Sequence, residues 1–115
     1  MRHRKKGRRL GRFSSEKNAL MRNLLTSLFK YESVITTEAK AKELIPVAEK
    51  VISIARKQDI NAIRRVSGII YEKEVASKIF SSTDLFRKES GHFHVYKLGV
   101  RQGDGAPLVK IALIK

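Results

Sequence analysis

The chain has 115 residues, with 25 lysines and arginines against 11 aspartates and glutamates, a net charge of +14 and no cysteine. That length supports one domain, and the basic excess points to nucleic acid ahead of an anionic membrane surface. The absence of thiols excludes disulfides, iron–sulfur clusters and cysteine-based zinc sites, and no apolar run approaches the ~20 residues that cross a bilayer.

The charge is uneven. The first twelve residues hold Arg2, Arg4, Lys5, Lys6, Arg8, Arg9 and Arg12, together with His3, and no acid. Half of the net charge therefore sits on about a tenth of the chain. With Leu10 as the one apolar side chain inside the run, this stretch has no core to bury, and its like charges repel in any compact form. Residues 1–13 are expected to be a basic arm that orders only against a polyanion, and residues 14–115 a single globular domain. Fully extended, the arm reaches about 40 Å. A mitochondrial presequence shares its Arg- and Ser-rich bias, but Leu10 and Phe13 make no apolar helix face and Gly7 and Gly11 interrupt the run.

Helical periodicity starts after Ser14 and Ser15, either of which can cap. Leu20, Met21, Leu24, Leu25, Leu28 and Phe29 recur at three- and four-residue spacing, predicting a helix over 15–30. Residues 31–36 end in β-branched side chains and read as a strand. Thr37 is placed to cap a second helix, carried by Ala39, Ala41, Leu44, Ile45, Val47, Ala48, Val51, Ile52 and Ala55. Pro46 predicts a kink or a fresh start within it. Asp59 caps a third helix with Ile60, Ile63, Val66, Ile69 and Ile70 as its expected buried face. A shorter helix over 73–80 buries Val75, Ile79 and Phe80, and Leu85 and Phe86 are expected to tuck inward from a loop over 81–90. The period then changes to two. Residues 92–98 and 107–114 read as strands joined by a glycine-rich hairpin. The expected fold class is α+β: a small, mostly antiparallel three-stranded sheet covered by helices, with a basic extended N-terminal arm.

The arm carries the strongest chemical signal. Arginine makes bidentate bonds to phosphate and stacks on bases, and an arginine-rich arm suits irregular RNA better than duplex DNA, since no helix-turn-helix stands out. The sheet lacks the paired aromatic platform of an RNA-recognition motif, although Phe93 and Tyr96 are each placed to stack singly. His92 and His94 share one face of an ideal strand, but zinc needs further ligands, so surface histidines near phosphate or solvent are the expectation. The loop at 99–105 matches no nucleotide-binding fingerprint. Glu38 and Lys42, four apart on a helix, read as a surface ion pair. No nucleophile–base arrangement emerges, so neither an enzyme nor a cofactor, metal or small-molecule substrate is expected.

Three blocks, in order, are similar to a known family. MRHRKKGRRLGR opens the chain, TTEAKAKELIPVAEK spans Thr36 to Lys50, and KLGVRQGDGAP spans Lys97 to Pro107, with Ser14 to Leu24 (SS…AL-x-RNL) between. Together they resemble the bacterial large-subunit ribosomal protein seventeen family over nearly the whole chain. The resemblance implies a structural constituent of the large ribosomal subunit, bound to its ribosomal RNA near the peptide exit side and beside neighbouring ribosomal proteins. It implies no catalysis, no membrane association and no homo-oligomer, in the cytoplasm or in an organellar ribosome. By matching position it implies RNA contact by Arg2, His3, Arg4, Lys5, Lys6, Arg8, Arg9 and Arg12 in the arm. Arg22 on the first helix, Lys40 and Lys42 in the central block, and Arg101 in the hairpin follow. The sequence departs from the family pattern at Glu16, where a basic residue or histidine is usual, and at Val100 and Gln102, where proline and arginine are frequent. His92-Phe93-His94 also replaces a run that usually contains glycine and arginine. The competing readings are a nucleic-acid-associated factor that cycles on and off, a small nuclease using His92 and His94, and membrane binding through the arm, which no amphipathic segment supports.

Overall fold

The computed structural model describes residues 14–81 and 91–114. The expected arm and the inward tuck of Leu85 and Phe86 lie outside the described residues. Helix α1 (Ser14–Tyr31) leads into strand β1 (Ser33–Thr37), helices α2 (Glu38–Ala55), α3 (Ile60–Ile69) and α4 (Lys73–Ser81), and strands β2 (Phe93–Val100) and β3 (Pro107–Leu113). The three strands form one antiparallel sheet in the order β1-β3-β2. The α+β architecture expected from the sequence is the one observed.

Alternation along the strands divides the sheet. Val109 and Ile111 point into the core, with Val34, Phe93 and Leu113 packed against it. Met21, Leu25, Leu28 and Phe29 from α1 and Leu44, Ala48, Val51 and Ile52 from α2 fill the space above them. Phe29 meets Phe93 edge to face, with ring centroids 6.1 Å apart. Phe93 is therefore turned inward and is not the stacking surface expected from the sequence. Helices α3 and α4 add Ala62, Val66, Val75, Ala76 and Ile79 to the same core.

Several local expectations are corrected. Thr37 is extended (φ −72°, ψ 154°) and makes no side-chain capping bond. It is the last residue of β1, paired with Leu108, and the strand fixes its backbone first. Helix α2 runs through Pro46 as one element, so the proline makes no fresh start. Pro46 is exposed, so the backbone acceptor it leaves unpaired lies on the side where water serves instead. Asp59 does cap α3, its Oδ1 accepting the Ala62 N–H at 2.7 Å. The buried face of α3 is Ala62, Val66 and Ile70, however, while Ile60 and Ile63 are 62% and 48% exposed. Helical geometry explains this: each three-residue step falls about 60° short of a full turn, so positions 60, 63, 66 and 69 drift round half the helix. Four-residue steps from Ala62 hold the stripe together.

Candidate nucleic-acid interface

The arm residues Arg2, His3, Arg4, Lys5, Lys6, Arg8, Arg9 and Arg12 lie outside the described residues. The remaining candidates sit at three separate places, each in a different local environment. Arg22 is half-buried on α1. Its Nε donates to the Ile69 carbonyl at 3.1 Å, and its guanidinium lies 4.0 Å from the centroid of the Tyr71 ring. Thr26, one turn on, donates to the Arg22 carbonyl at 2.8 Å and accepts the Tyr71 N–H at 3.2 Å. Arg22 thus latches α1 to the end of α3.

Lys40 is half-buried on α2, and Lys42 is exposed beside it. Lys42 pairs with Glu38 at 3.2 Å, the helix ion pair expected from the spacing. Lys42, Glu38, Ile45, Val95 and Lys97 line a groove of about 350 Å³ between α2 and the edge strand β2. Arg101 lies in the β2–β3 hairpin and forks onto Asp104, Nε to Oδ1 at 3.1 Å and Nη2 to Oδ2 at 2.5 Å. The Ala106 N–H also donates to Asp104 Oδ1, at 3.2 Å. Bonding to Arg101, then to the Ala106 amide, holds the Asp104 carboxyl at about 2, below its ordinary 3.8. The same contact raises the Arg101 guanidinium above its ordinary value. Lys17, Lys30 and Lys78 are likewise engaged, by Glu43 at 3.3 Å, Glu72 at 3.1 Å and Glu32 at 3.5 Å. Besides Arg22, the described residues Lys40, Lys50, Lys57, Arg64, Arg65, Lys73, Lys97 and Lys110 have no acidic partner.

His92 departs from its expected place at the surface. It precedes β2 and is 3% exposed. Its backbone N–H donates to Glu49 Oε1 at 2.6 Å, its Nδ1 meets Glu49 Oε2 at 2.5 Å, and its Nε2 meets Arg56 Nη2 at 2.9 Å. A guanidinium only donates, so Nε2 accepts and Nδ1 carries the proton in this arrangement. The histidine is a structural link from α2 to the start of β2, and it shares no exposed site with His94. No group of three or more metal-ligating side chains occurs among the described residues.

The sheet face turned away from the helices carries Ser33, Ile35 and Thr37 from β1, Leu108, Lys110 and Ala112 from β3, and His94 and Tyr96 from β2. Lys110 stands directly between Ile35 and Tyr96 in the register, and Ala112 between Ser33 and His94. The His94 and Tyr96 rings are 4.4 Å apart with their planes 37° from parallel. Ile35 is 60% and Tyr96 49% exposed. None of these eight residues is acidic. The two-residue spacing of His94 and Tyr96 in β2 is the sequence signal for this ring pair.

Comparison with known proteins decides the family. The family model described as ribosomal protein L17 matches residues 20–114. The chain belongs to the ribosomal protein L17 family. Among its relatives, a protein of Geobacter sulfurreducens named "Large ribosomal subunit protein bL17" is 46% identical over 117 residues, covering all of this chain and 67% of the relative. The protein of the same name from Desulforapulum autotrophicum is 45% identical over 116 residues, covering 99% of this chain and 97% of the relative. A third, from Desulfosudis oleivorans, is 46% identical, with 99% of this chain matched to 56% of the relative. The members differ in length, and the matched part is essentially the whole of this chain. No helix among the described residues is long and apolar enough to cross a membrane.

Proposed function

We propose that this chain is a structural constituent of the large ribosomal subunit that binds large-subunit ribosomal RNA and stabilises RNA packing during assembly. What carries the reading is family membership at 46% and 45% identity to large-subunit proteins over essentially the full chain. Residues 14–115 act as one α+β body that docks on an RNA surface near the peptide exit side. Residues 1–13 act as an arm threaded between RNA helices, where Arg2, Arg4, Lys5, Lys6, Arg8, Arg9, Arg12 and His3 face phosphates that would otherwise repel. Lys40 adds charge from α2. Arg22, Lys42 and Arg101 reach RNA only from the contacts with Tyr71, Glu38 and Asp104 described above, so each contributes less than an arm residue. Neighbouring ribosomal proteins complete the surroundings, and the chain works as one copy per subunit, without catalysis, in the cytoplasm or an organelle.

The test is sedimentation of a lysate through a sucrose gradient at about 0.5 M monovalent salt, where exposed phosphate pairs are largely screened. One-to-one retention on the large subunit is the expected result. Release to the top of the gradient, or spreading over all RNA, would identify a loosely bound basic factor instead.

A further inference from the structure

We infer that the outer sheet face is a second RNA contact, one that stacks an unpaired base on the His94–Tyr96 ring pair while Lys110 meets its phosphate. This rests on the RNA-binding reading above and adds a site to it. Three observations select an unpaired nucleotide as the occupant. The two rings lie on one strand face at 4.4 Å and 37°, leaning against each other so that a base can stack on the outer face of either, and both side chains are exposed, Tyr96 by about half. Lys110 is the direct cross-strand neighbour of Tyr96 and has no acidic partner among the described residues. The face offers hydroxyls at Ser33, Thr37 and Tyr96 for base edges or a 2′-OH, and no carboxylate to repel a phosphate.

A duplex cannot use such a surface, because its bases are already stacked on one another; an unpaired base in a loop or bulge can. Stacking also differs from the arm's chemistry in its response to salt. Phosphate pairing weakens steeply as counterions compete, whereas base–aromatic contact does not depend on counterion release. The arm and the sheet face are therefore separable by experiment.

The experiment uses the full chain and a short single-stranded oligoadenylate, followed by fluorescence anisotropy across a salt series, with a fragment of large-subunit ribosomal RNA in parallel. Four proteins are compared: wild type, His94→Ala/Tyr96→Ala, Tyr96→Phe, and an arm variant with all seven basic residues of 1–12 changed to Gln. All the sheet positions changed are exposed, and circular dichroism checks that each protein is folded. The double variant is expected to lose roughly tenfold or more in oligoadenylate affinity, since one aromatic–base stack accounts for that much. Its salt slope should match wild type. Tyr96→Phe keeps the ring and should bind nearly as wild type, and ultraviolet crosslinking should attach the oligonucleotide at Tyr96 or His94. Wild-type affinity in the double variant, with weakened binding in the arm variant, overturns the stacking site and leaves the RNA-binding reading standing. Failure of the wild type to bind either RNA overturns both. Unchanged oligoadenylate binding with poor incorporation into large subunits would assign the face to a neighbouring protein and overturn the inference as well.

Discussion

Exchange of Glu49 for glutamine tests whether the buried His92 link has a direction. Proton donation runs one way, from the Arg56 guanidinium to His92 Nε2, and from His92 Nδ1–H and the His92 backbone N–H to the two Glu49 oxygens. Glutamine has nearly the same shape but presents one acceptor and one NH2 group. With the amide oxygen on either donor, the NH2 group faces the other. Moving the histidine proton to Nε2 would relieve that clash only by setting it against the Arg56 donor. One polar group is thus left unmatched whichever tautomer forms, beside a histidine that is 3% exposed. An unmatched buried donor costs ~1–3 kcal/mol, and because the Glu49 side chain is 21% exposed, the lower half of that range applies. A loss of about 1–2 kcal/mol should lower the urea midpoint with an unaltered slope, and lower Tm by roughly 5–15 °C. Glu49→Ala removes both acceptors and should cost more. The assay is urea and thermal unfolding by circular dichroism on wild type and both variants. If Glu49→Gln unfolds within about 0.5 kcal/mol of wild type, as a neutral surface exchange does, the directional chain is wrong.

Three further results are expected. Asp59→Ala removes the oxygen that accepts the Ala62 N–H at 2.7 Å and should destabilise by about 1 kcal/mol, read from the urea midpoint, with Asp59→Asn nearly neutral. A carboxyl NMR titration should place Asp104 at about 2, below the ordinary 3.8; because its folded value is depressed, the hairpin clamp contributes fully above the ordinary value and is lost as pH falls through about 2. In Arg101→Ala that midpoint should return toward 3.8. Replacing the seven basic arm residues by glutamine should flatten the log–log salt dependence of ribosomal RNA binding by about five to six, whereas Lys42→Gln or Arg101→Gln should each change it by less than one, which binding isotherms at several salt concentrations would measure.

The helices and the sheet were legible because burial writes a period into the sequence. In α1, Met21, Leu25, Leu28 and Phe29 keep the three- and four-residue spacing and are all buried. In β3, Val109 and Ile111 keep a spacing of two and close the core from the other side. Sequence pattern and structure part where a stronger local demand overrules the pattern. Thr37 has the right residue type for a cap, but strand pairing sets its geometry. The Ile60–Ile63–Val66–Ile69 run looks like a stripe and drifts off the buried face. His92 reads from the sequence as a surface histidine since nothing nearby in the chain announces Glu49, forty-three residues earlier. Long-range polar links of this kind leave no periodic trace. The residues of the body carried over as RNA contacts pose the same difficulty, since the engagement of Arg22 by Ile69 and Tyr71 is equally non-local.

Those engagements bear on how the charge is deployed. Among the described residues, Lys17, Lys30, Lys42, Lys78 and Arg101 sit against acids of the body itself. Such exposed pairs contribute little stability each, yet they lower the field those residues present to an incoming phosphate. The acids of the described body are thus spent largely on its own cations, while the arm has none to answer its seven. The proposed role in assembly gives this division a use. Under the proposed function, a body whose cations are partly paired would meet RNA mainly by shape and by the sheet face inferred above, and the unbalanced arm would find countercharge only where phosphates crowd from more than one side. If the arm binds RNA as proposed, its affinity should be greatest in a closed RNA crevice and weakest on an isolated helix, and a chain stripped of its body acids should bind RNA more tightly and discriminate less.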